Sequence, residues 1–364
     1  RTERSGQIAT SITCMADWIR PEPLNCADDV PIVTREQDAP TVAQSLCDGQ
    51  NACVGDLYST GLAALAEVRR LLSSDAQLNT YEASRQNRRA YRQASHRLLV
   101  PIRNREIALR KSPTIGWLVE LYPDISDFHL TFPQVQGLNS SWQWYERGVE
   151  LPGLERRLHP FYGTYFPTRH DHLALFDEWL RSYTGQKDRA LDIGTGCGVL
   201  AMMLGRAGFS RVLATDTNPN AIESVRRDLK RLNLEAGIEP VVADFLGEET
   251  GADLIVFNPP WLPGEPEGPI DEAVYYEEGF FERFFNGAAT HMAADARLVM
   301  LFSGLAEDVL ASSTHPIEAE LSSSSRFGLV QKLERAVQPS SKKTRRRKRS
   351  VDREKVELWD LQRG

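Results

Sequence analysis

The tetrapeptide Asn258-Pro259-Pro260-Trp261 combines residue types that can bind a flat amino group. Proline has no backbone N–H, so the carbonyls around the two prolines can only accept hydrogen bonds. The Asn258 side chain adds another carbonyl acceptor, and the Trp261 ring offers a face on which a planar group can stack. A planar NH2 group could donate one hydrogen to the Asn258 oxygen and the other to the Pro259 carbonyl. An isolated Asn-Pro-Pro is usually only a loop, so this interpretation depends on the elements that precede it.

A glycine-rich loop, Gly194-Thr-Gly196-Cys-Gly198, follows the apolar stretch ALDI and precedes an apolar helix. Glycines let a backbone turn sharply and approach a ligand closely, and the helix behind them offers unbonded N–H groups. A dinucleotide-binding loop of the form G-x-G-x-x-G would need glycine at position 199, which is valine here. No Lys-Ser/Thr pair follows, which excludes a P-loop.

Two acidic residues end the next two predicted strands. Asp216 lies 22 residues after Gly194, a spacing at which a strand-end acid can bind ribose hydroxyls. Asp244 is followed by Phe245, and such a pair can bond an adenine amino group and flank its ring. A single strand-end aspartate is more often a helix cap, but the three features in register favour a ligand that contains a nucleoside.

Short apolar strands alternate with helices after Gly185, a pattern typical of a parallel, doubly wound sheet with helices on both faces. The predicted strands are RALDI (189–193), RVLATD (211–216), PVVAD (240–244), ADLIVFN (252–258) and ARLVMLFS (296–303), with helices over 198–207, 219–233 and 279–293. LVQKLERAV (329–337) and KVELWDL (355–361) are predicted as two further strands joined by a basic hairpin loop at 338–352. Ligands bind at the carboxyl ends of the strands in such sheets, where the motifs above fall.

The N-terminal part of the chain has a different pattern. Residues 1–55 show weak periodicity and several turn signals, which predicts an irregular segment. Residues 56–150 are predicted as a mainly helical, basic domain, with helices over 56–72 and 81–99 and a further helix opened by Pro101. Residues 151–364 form the predicted α/β domain.

These motifs together resemble those of class I S-adenosylmethionine-dependent methyltransferases, over about residues 160–364. LDIGTGCG resembles the first motif of the family, TDTN at 215–218 the second, and ADF at 243–245 the motif that contacts adenine. The tetrapeptide resembles the (N/D)-P-P-(Y/F/W) motif of enzymes that methylate planar nitrogens, including protein-glutamine, N2-guanine and N6-adenine methyltransferases. The resemblance implies a Rossmann-like fold with a mostly parallel seven-stranded sheet, and S-adenosylmethionine as the cofactor.

The resemblance also assigns roles to individual residues. Catalytic roles fall on Asn258, Pro259, Pro260 and Trp261, and no metal is predicted. The predicted cofactor-binding residues are Thr168, Asp192, Gly194, Thr195, Gly196, Gly198, Asp216, Thr217, Asn218, Asp244, Phe245 and again Asn258.

The stretch FYGTYFPTRHDHLALFDEWL (161–180) precedes the sheet and resembles the segment that covers the cofactor in release-factor-type and small-domain rRNA enzymes. By that resemblance, Pro167, Thr168 and Arg169 approach the methionine end of the cofactor. His170 and His172 are separated by Asp171, but a metal site would need more ligands.

The net charge of −7 over 364 residues hides two basic regions. Residues 85–111 carry nine basic residues and one acid, and residues 342–349 carry seven basic residues and none. Arg85, Arg89, Arg92 and His96 share one helix face, which is either the solvated face of a helical bundle or a surface that follows phosphates. Such asymmetry favours a polyanionic partner without naming one.

The acceptor therefore stays open between the exocyclic amine of an RNA or DNA base and a glutamine amide of a protein. A small-molecule acceptor, or a non-catalytic nucleic-acid-binding module that retains the cofactor fold, are the alternatives. No apolar run reaches 18 residues, so we expect no membrane helix. Five cysteines without a CxxC pair, and the lack of an apolar secretory signal, predict reduced thiols in a cytoplasmic protein.

Overall fold

The computed structural model describes residues 18–25, 29–74, 81–247, 250–264, 274–303, 315–337 and 355–364. The predicted basic loop at 338–352, with the basic run 342–349, lies outside these residues, as do Cys14 and Cys26. Cys47, Cys53 and Cys197, which are described, form no disulfide. None of the helices in the described ranges has the length and apolar character needed to cross a bilayer.

The N-terminal domain is built around a small mixed sheet. Its strands are β1 (Ile32–Val33), β2 (Ala52–Val54), β3 (Leu98–Arg103), β4 (Glu106–Ile107) and β5 (Phe128–Thr131). Its helices are α1 (Ala39–Cys47), α2 (Tyr58–Ser74), α3 (Tyr81–Ser95), α4 (Trp117–Glu120) and α5 (Phe132–Arg147). The first three strands run parallel, and both β4 and β5 pair antiparallel with β3.

The prediction of a mainly helical domain over 56–150 did not include this sheet. Four helices are present there, but so are the strands β3, β4 and β5. The predicted domain boundary at residue 55 also divides the sheet, because β1 and β2 precede that residue. Pro101 lies inside β3 instead of opening a helix. Since Leu98 and Leu99 are the β3 residues that pair with β2, Pro101 lies past the end of β2, where its missing N–H costs no bond to that strand.

The C-terminal domain holds a seven-stranded sheet with the order β13-β14-β12-β9-β6-β7-β8. Its strands are β6 (Arg189–Ile193), β7 (Arg211–Asp216), β8 (Ile238–Val242), β9 (Ala252–Phe257), β12 (Met292–Ser303), β13 (Phe327–Ala336) and β14 (Lys355–Arg363), and a separate pair is β10 (Leu262–Pro263) with β11 (Tyr275–Tyr276). Its helices are α6 (Asp171–Ser182), α7 (Val199–Arg206), α8 (Pro219–Leu232), α9 (Phe280–His291) and α10 (Pro316–Ser323).

The five strands from β12 to β8 are parallel, and β14 runs antiparallel to both of its neighbours. The predicted α/β fold with a mostly parallel seven-stranded sheet is thus confirmed. All six residues of β9 are buried. Leu254 and Val256 join the core cluster that includes α6 and α7, whereas Ile255 and Phe257 join the cluster that includes α9. Alternate side chains therefore point to two layers, as expected for a strand covered on both faces.

The two domains meet at an aromatic junction. Phe161, just before the C-terminal sheet, packs in the core of the N-terminal domain, 4.9 Å from the Trp117 ring and 5.0 Å from the Trp18 ring. Arg227 of α8 stacks over Phe161 at 4.5 Å and pairs with Glu120 of α4 at 2.5 Å. These contacts fix the N-terminal domain against α8, the helix that begins at the candidate site.

Candidate functional site

A cavity opens at the carboxyl ends of the parallel strands, where the sequence motifs converge. Nine of the predicted site residues line it: Gly194, Gly196, Asp216, Thr217, Asn218, Asp244, Phe245, Asn258 and Pro260. The other predicted residues, Pro259, Trp261, Thr168, Asp192, Thr195 and Gly198, are not among the lining residues. The sequence analysis did not single out seven further lining residues: Gly163, Tyr165, Ile193, Ala221, Ala243, Phe257 and Phe280.

The glycine loop turns through backbone conformations that favour glycine. Gly196 has a φ of 52°, and a side chain there would place its Cβ 2.9 Å from the carbonyl oxygen of Tyr165. Only glycine therefore lets the segment containing Tyr165 lie this close to the loop. Gly198, with a φ of 79°, precedes the first residue of α7.

Asp216, at the end of β7, ties the loop to α8. One carboxylate oxygen accepts a hydrogen bond from the Gly196 N–H at 2.9 Å, and the other accepts from the Asn218 N–H, also at 2.9 Å. Asn218 in turn caps α8, since its side chain accepts from the Asn220 N–H at 2.9 Å. Loop, strand end and helix start therefore form one hydrogen-bonded unit.

Asp192 stabilises the loop from behind and does not reach the cavity. It is fully buried and accepts hydrogen bonds from the Thr195 hydroxyl at 2.6 Å and the Ala201 N–H at 2.9 Å. Burial raises the pKa of this carboxyl group to about 7, and its second oxygen has no hydrogen-bond partner among the described residues. Thr195 is also buried, so both side chains shape the loop from inside.

A covering segment, residues 159–172, runs along α8 and across the glycine loop. Its exposed Thr168, predicted to contact the cofactor, points to solvent. Four hydrogen bonds join the segment to α8 and its cap: His159 N–H to Asp228, Phe161 N–H to the Ser224 hydroxyl, the Thr164 hydroxyl to the Asn220 carbonyl, and the Asn218 amide to the Gly163 carbonyl. No local sequence pattern predicts these hydrogen bonds, because each joins residues that lie more than 50 positions apart in the chain.

Asn220 extends this network to the N-terminal part of the chain. It is fully buried, and its side-chain nitrogen donates to the carbonyls of Ile19 and Tyr162 at 2.7 and 2.8 Å. Its side-chain oxygen accepts from the Ile19 N–H at 2.9 Å. One asparagine next to the cavity thus holds both the covering segment and the segment that contains Trp18.

The tetrapeptide follows β9 directly and forms the far end of the cavity. Pro259 and Pro260 are buried, and Asn258 is half-buried at the cavity wall. The side-chain oxygen of Asn258 is inaccessible to water and has no hydrogen-bond partner among the described residues. The Trp261 indole N–H donates to the Leu301 carbonyl at 3.3 Å, which fixes one edge of that ring.

Similarity to known proteins agrees with this arrangement. Residues 174–304 match the family model of the methyltransferase small domain. A candidate protein N5-glutamine methyltransferase of Methanocaldococcus jannaschii is 30% identical over 34% of this chain and 59% of its own length. Ribosomal protein L11 methyltransferase of Symbiobacterium thermophilum is 33% identical over 32% of this chain and 37% of its own. Release factor glutamine methyltransferase of Deinococcus radiodurans is 34% identical over 39% of this chain and 48% of its own.

Residues 174–304 are thus similar to the methyltransferase small domain. The prediction of a class I S-adenosylmethionine-dependent methyltransferase is confirmed at this level. The chain spans between 37% and 59% of the length of these three relatives. Their matches thus cover part of each relative and not the whole of any of the three proteins.

The residues of the methyltransferase small domain fit S-adenosylmethionine, the cofactor that the family implies. Gly194 and Gly196 leave room at the loop, since the cavity side carries no side chain there. Asp216 and Asp244 offer carboxylate oxygens for ribose hydroxyls and an adenine amino group, and Phe245 and Phe280 supply aromatic walls. Within the described ranges, no group of three or more His, Cys, Asp or Glu residues is arranged to hold a metal ion.

Proposed function

We propose that this protein transfers a methyl group from S-adenosylmethionine to a planar NH2 nitrogen held by Asn258. Asn258 lines the cavity, and its side-chain oxygen, inaccessible to water and without a hydrogen-bond partner among the described residues, is the observation that carries the proposal. A buried acceptor without a partner costs about 1–3 kcal/mol, and a bound NH2 group would remove that cost. The neighbouring Pro259 and Pro260 cannot compete as donors, because proline has no N–H.

The chemistry needs acceptors more than it needs a base. When bound, S-adenosylmethionine supplies an electrophilic methyl group on a positively charged sulfur. The lone pair of an amide or ring amine is delocalised, so its nitrogen is a weak nucleophile. The Asn258 oxygen and the Pro259 carbonyl accept hydrogen bonds from the two N–H groups of the acceptor. These bonds return electron density to its nitrogen and orient it. The nitrogen gains the methyl group and then loses one proton to water, so alignment and electrostatics supply most of the catalysis.

A glutamine side-chain amide in a protein is the first candidate acceptor. The release factor enzyme of Deinococcus radiodurans and the Methanocaldococcus jannaschii protein both carry glutamine methylation in their names. A carboxamide is planar, and it presents the two hydrogens that Asn258 and the Pro259 carbonyl are suited to accept.

The exocyclic amine of a nucleic-acid base is the second candidate, and α3 is the observation that favours it. Arg88, Arg89 and Arg92 are exposed on this helix. Other members of the basic region serve the fold instead: Arg105 donates to the Tyr122 and Pro123 carbonyls. Part of the predicted basic region therefore stabilises the fold, and the exposed arginines of α3 are the part that solvent-borne phosphates could reach.

Incubation of the purified protein with methyl-labelled S-adenosylmethionine and a cell extract tests the function. We expect transferred label, and transfer slower by about 10²- to 10³-fold with Asn258→Ala, while both proteins bind S-adenosylhomocysteine with equal affinity in calorimetry. Label removed by protease identifies a protein acceptor, and label removed by nuclease identifies a nucleic acid. The proposal would be overturned if the wild type transfers no label to the extract, or if Asn258→Ala transfers label at the wild-type rate.

A further inference from the structure

His172 is a buried titratable residue that the proposed chemistry does not use. It lies in the first turn of α6, at the end of the covering segment, and is 2% exposed. Its ring stands perpendicular to that of Trp261, at 87° with 5.8 Å between ring centres. Trp261 is also held from another side, because its indole N–H donates to the Leu301 carbonyl.

Neither ring nitrogen of His172 has a hydrogen-bond partner among the described residues, although both are inaccessible to water. Burial lowers the pKa of this imidazole to about 4, so the ring is neutral near pH 7. Two buried polar atoms without partners oppose folding. Whatever His172 contributes in this structure therefore comes from the shape and contact of its ring and not from its nitrogens.

The course of the covering segment puts His172 at the acceptor end of the site. The Tyr165 carbonyl lies against Gly196 at the glycine loop, and His172 lies against Trp261 after β9. The residues between them must therefore bridge from the cofactor side of the cavity to the tetrapeptide. A displacement of His172 would move the Trp261 ring and this bridge together.

We propose that His172 is a positioning residue that fixes the plane of the Trp261 ring for stacking against the acceptor's planar amide or base. The inference rests on the function proposed above for the tetrapeptide. Perpendicular aromatic pairs contribute about 0.5–1.5 kcal/mol beyond their buried area, which corresponds to a factor of about 2 to 10 in acceptor affinity. An acceptor atom bound directly by a His172 nitrogen is the competing possibility, and it predicts the opposite behaviour of one variant.

Fluorine NMR of the full chain labelled with 5-fluorotryptophan tests the positioning without any acceptor. The Trp261 signal is assigned with Trp261→Phe. We expect His172→Phe, which keeps an aromatic ring, to leave that signal as narrow as in the wild type, whereas His172→Leu broadens or splits it because the Trp261 ring takes several orientations. The signals of the six other tryptophans serve as the folding control and should keep their widths in both variants. A single Trp261 signal of wild-type width in His172→Leu would overturn the proposal.

Label transfer to cell extract then gives the kinetic test. His172→Leu should raise the extract concentration for half-saturation about 2- to 10-fold at similar maximal rate, and His172→Phe should match the wild type. Both variants should bind S-adenosylhomocysteine as the wild type does. Loss of transfer in His172→Phe would show that a nitrogen of His172 is needed and would overturn the ring-positioning role. Absence of transfer by the wild type would instead contradict the proposed function. The NMR experiment would still test whether His172 holds the Trp261 ring, because it needs no acceptor.

Discussion

The cofactor end and the acceptor end of the cavity differ in how far their polar groups are already satisfied. At the cofactor end, both carboxylate oxygens of Asp216 accept backbone hydrogen bonds. At the acceptor end, the side-chain oxygen of Asn258 and both nitrogens of His172 have no partner among the described residues. The fold therefore satisfies the Asp216 carboxylate by itself, although one buried oxygen of Asp192 behind the loop has no partner, whereas the side-chain oxygen of Asn258 is left for an incoming group to bond.

The largest expected effect is at the acceptor end. Asn258→Ala removes the unpartnered oxygen and should lower the transfer rate by about 10²- to 10³-fold, the usual cost of losing a hydrogen bond made to the reacting group. The affinity for S-adenosylhomocysteine should not change. Labelled transfer and calorimetry measure the two quantities. Asn258→Asp, which keeps an acceptor oxygen, should retain more activity than the alanine variant, and equal losses in both would argue against the acceptor role.

His172 should make the free energy of unfolding depend on pH. Its pKa is about 6.5 in an unfolded chain and about 4 in the fold, where burial and the nearby His170 both lower it. Between pH 6.5 and 4 the unfolded chain takes up a proton that the folded chain does not, so acidification destabilises the fold by about 3 kcal/mol through this group.

Asp192 works in the opposite direction, because its raised pKa lets the folded chain hold a proton below about pH 7. The difference between wild type and His172→Phe isolates the histidine contribution. Urea unfolding at several pH values measures it. The variant should lose less stability on acidification, and parallel curves for the two proteins would contradict the assignment.

Asp216→Ala should weaken S-adenosylhomocysteine binding by about 10- to 100-fold, the range for losing hydrogen bonds to a charged group. The loss has two sources, since the carboxylate braces the Gly196 and Asn218 N–H groups and is also suited to bind a ribose. Asp216→Asn keeps one acceptor oxygen, so its affinity for S-adenosylhomocysteine should lie between those of the wild type and Asp216→Ala. If calorimetry gives both variants the wild-type affinity, the cofactor does not bind at this end of the cavity.

Asp244→Ala should have the smallest effect, a loss in S-adenosylhomocysteine affinity of about 2- to 10-fold. Its carboxylate is exposed at the cavity edge and is suited to a single contact with an adenine amino group. A competition assay with adenosine analogues that lack this amino group would locate the contact. If Asp244→Ala loses as much affinity for S-adenosylhomocysteine as Asp216→Ala does, the assignment of Asp216 to the ribose and Asp244 to the adenine amino group is wrong.

The sequence predicted the C-terminal domain more fully than the N-terminal one, for physical reasons. β9 contains the apolar run LIVF, and Gly194 after β6 and Asp216 at the end of β7 mark the strand ends, so both sheet and cavity follow from local patterns. In the N-terminal domain, β1 and β4 contain two residues each, too few to show a period. The apolar run that forms β3 contains Pro101, which the sequence analysis interpreted as the start of a helix.

The parts of the site that local patterns could not predict depend on distant contacts. Asn220 bonds Ile19, which lies 201 residues earlier in the chain. His172 meets Trp261 only because the covering segment crosses the cavity. The sequence favours ordinary solvent-exposed polar residues over metal ligands at His170 and His172, since no periodicity indicates that His172 would be buried against the tetrapeptide.

The position of β14 has a consequence for biosynthesis. This strand, Lys355–Arg363, lies between β12 and β13, both of which are translated earlier. Among the described strands, β13 pairs with β14 alone. As the nascent chain leaves the ribosome, β13 therefore has no place in the sheet until β14 emerges, and until then β12 presents an open edge that a chaperone or a neighbouring chain could bind.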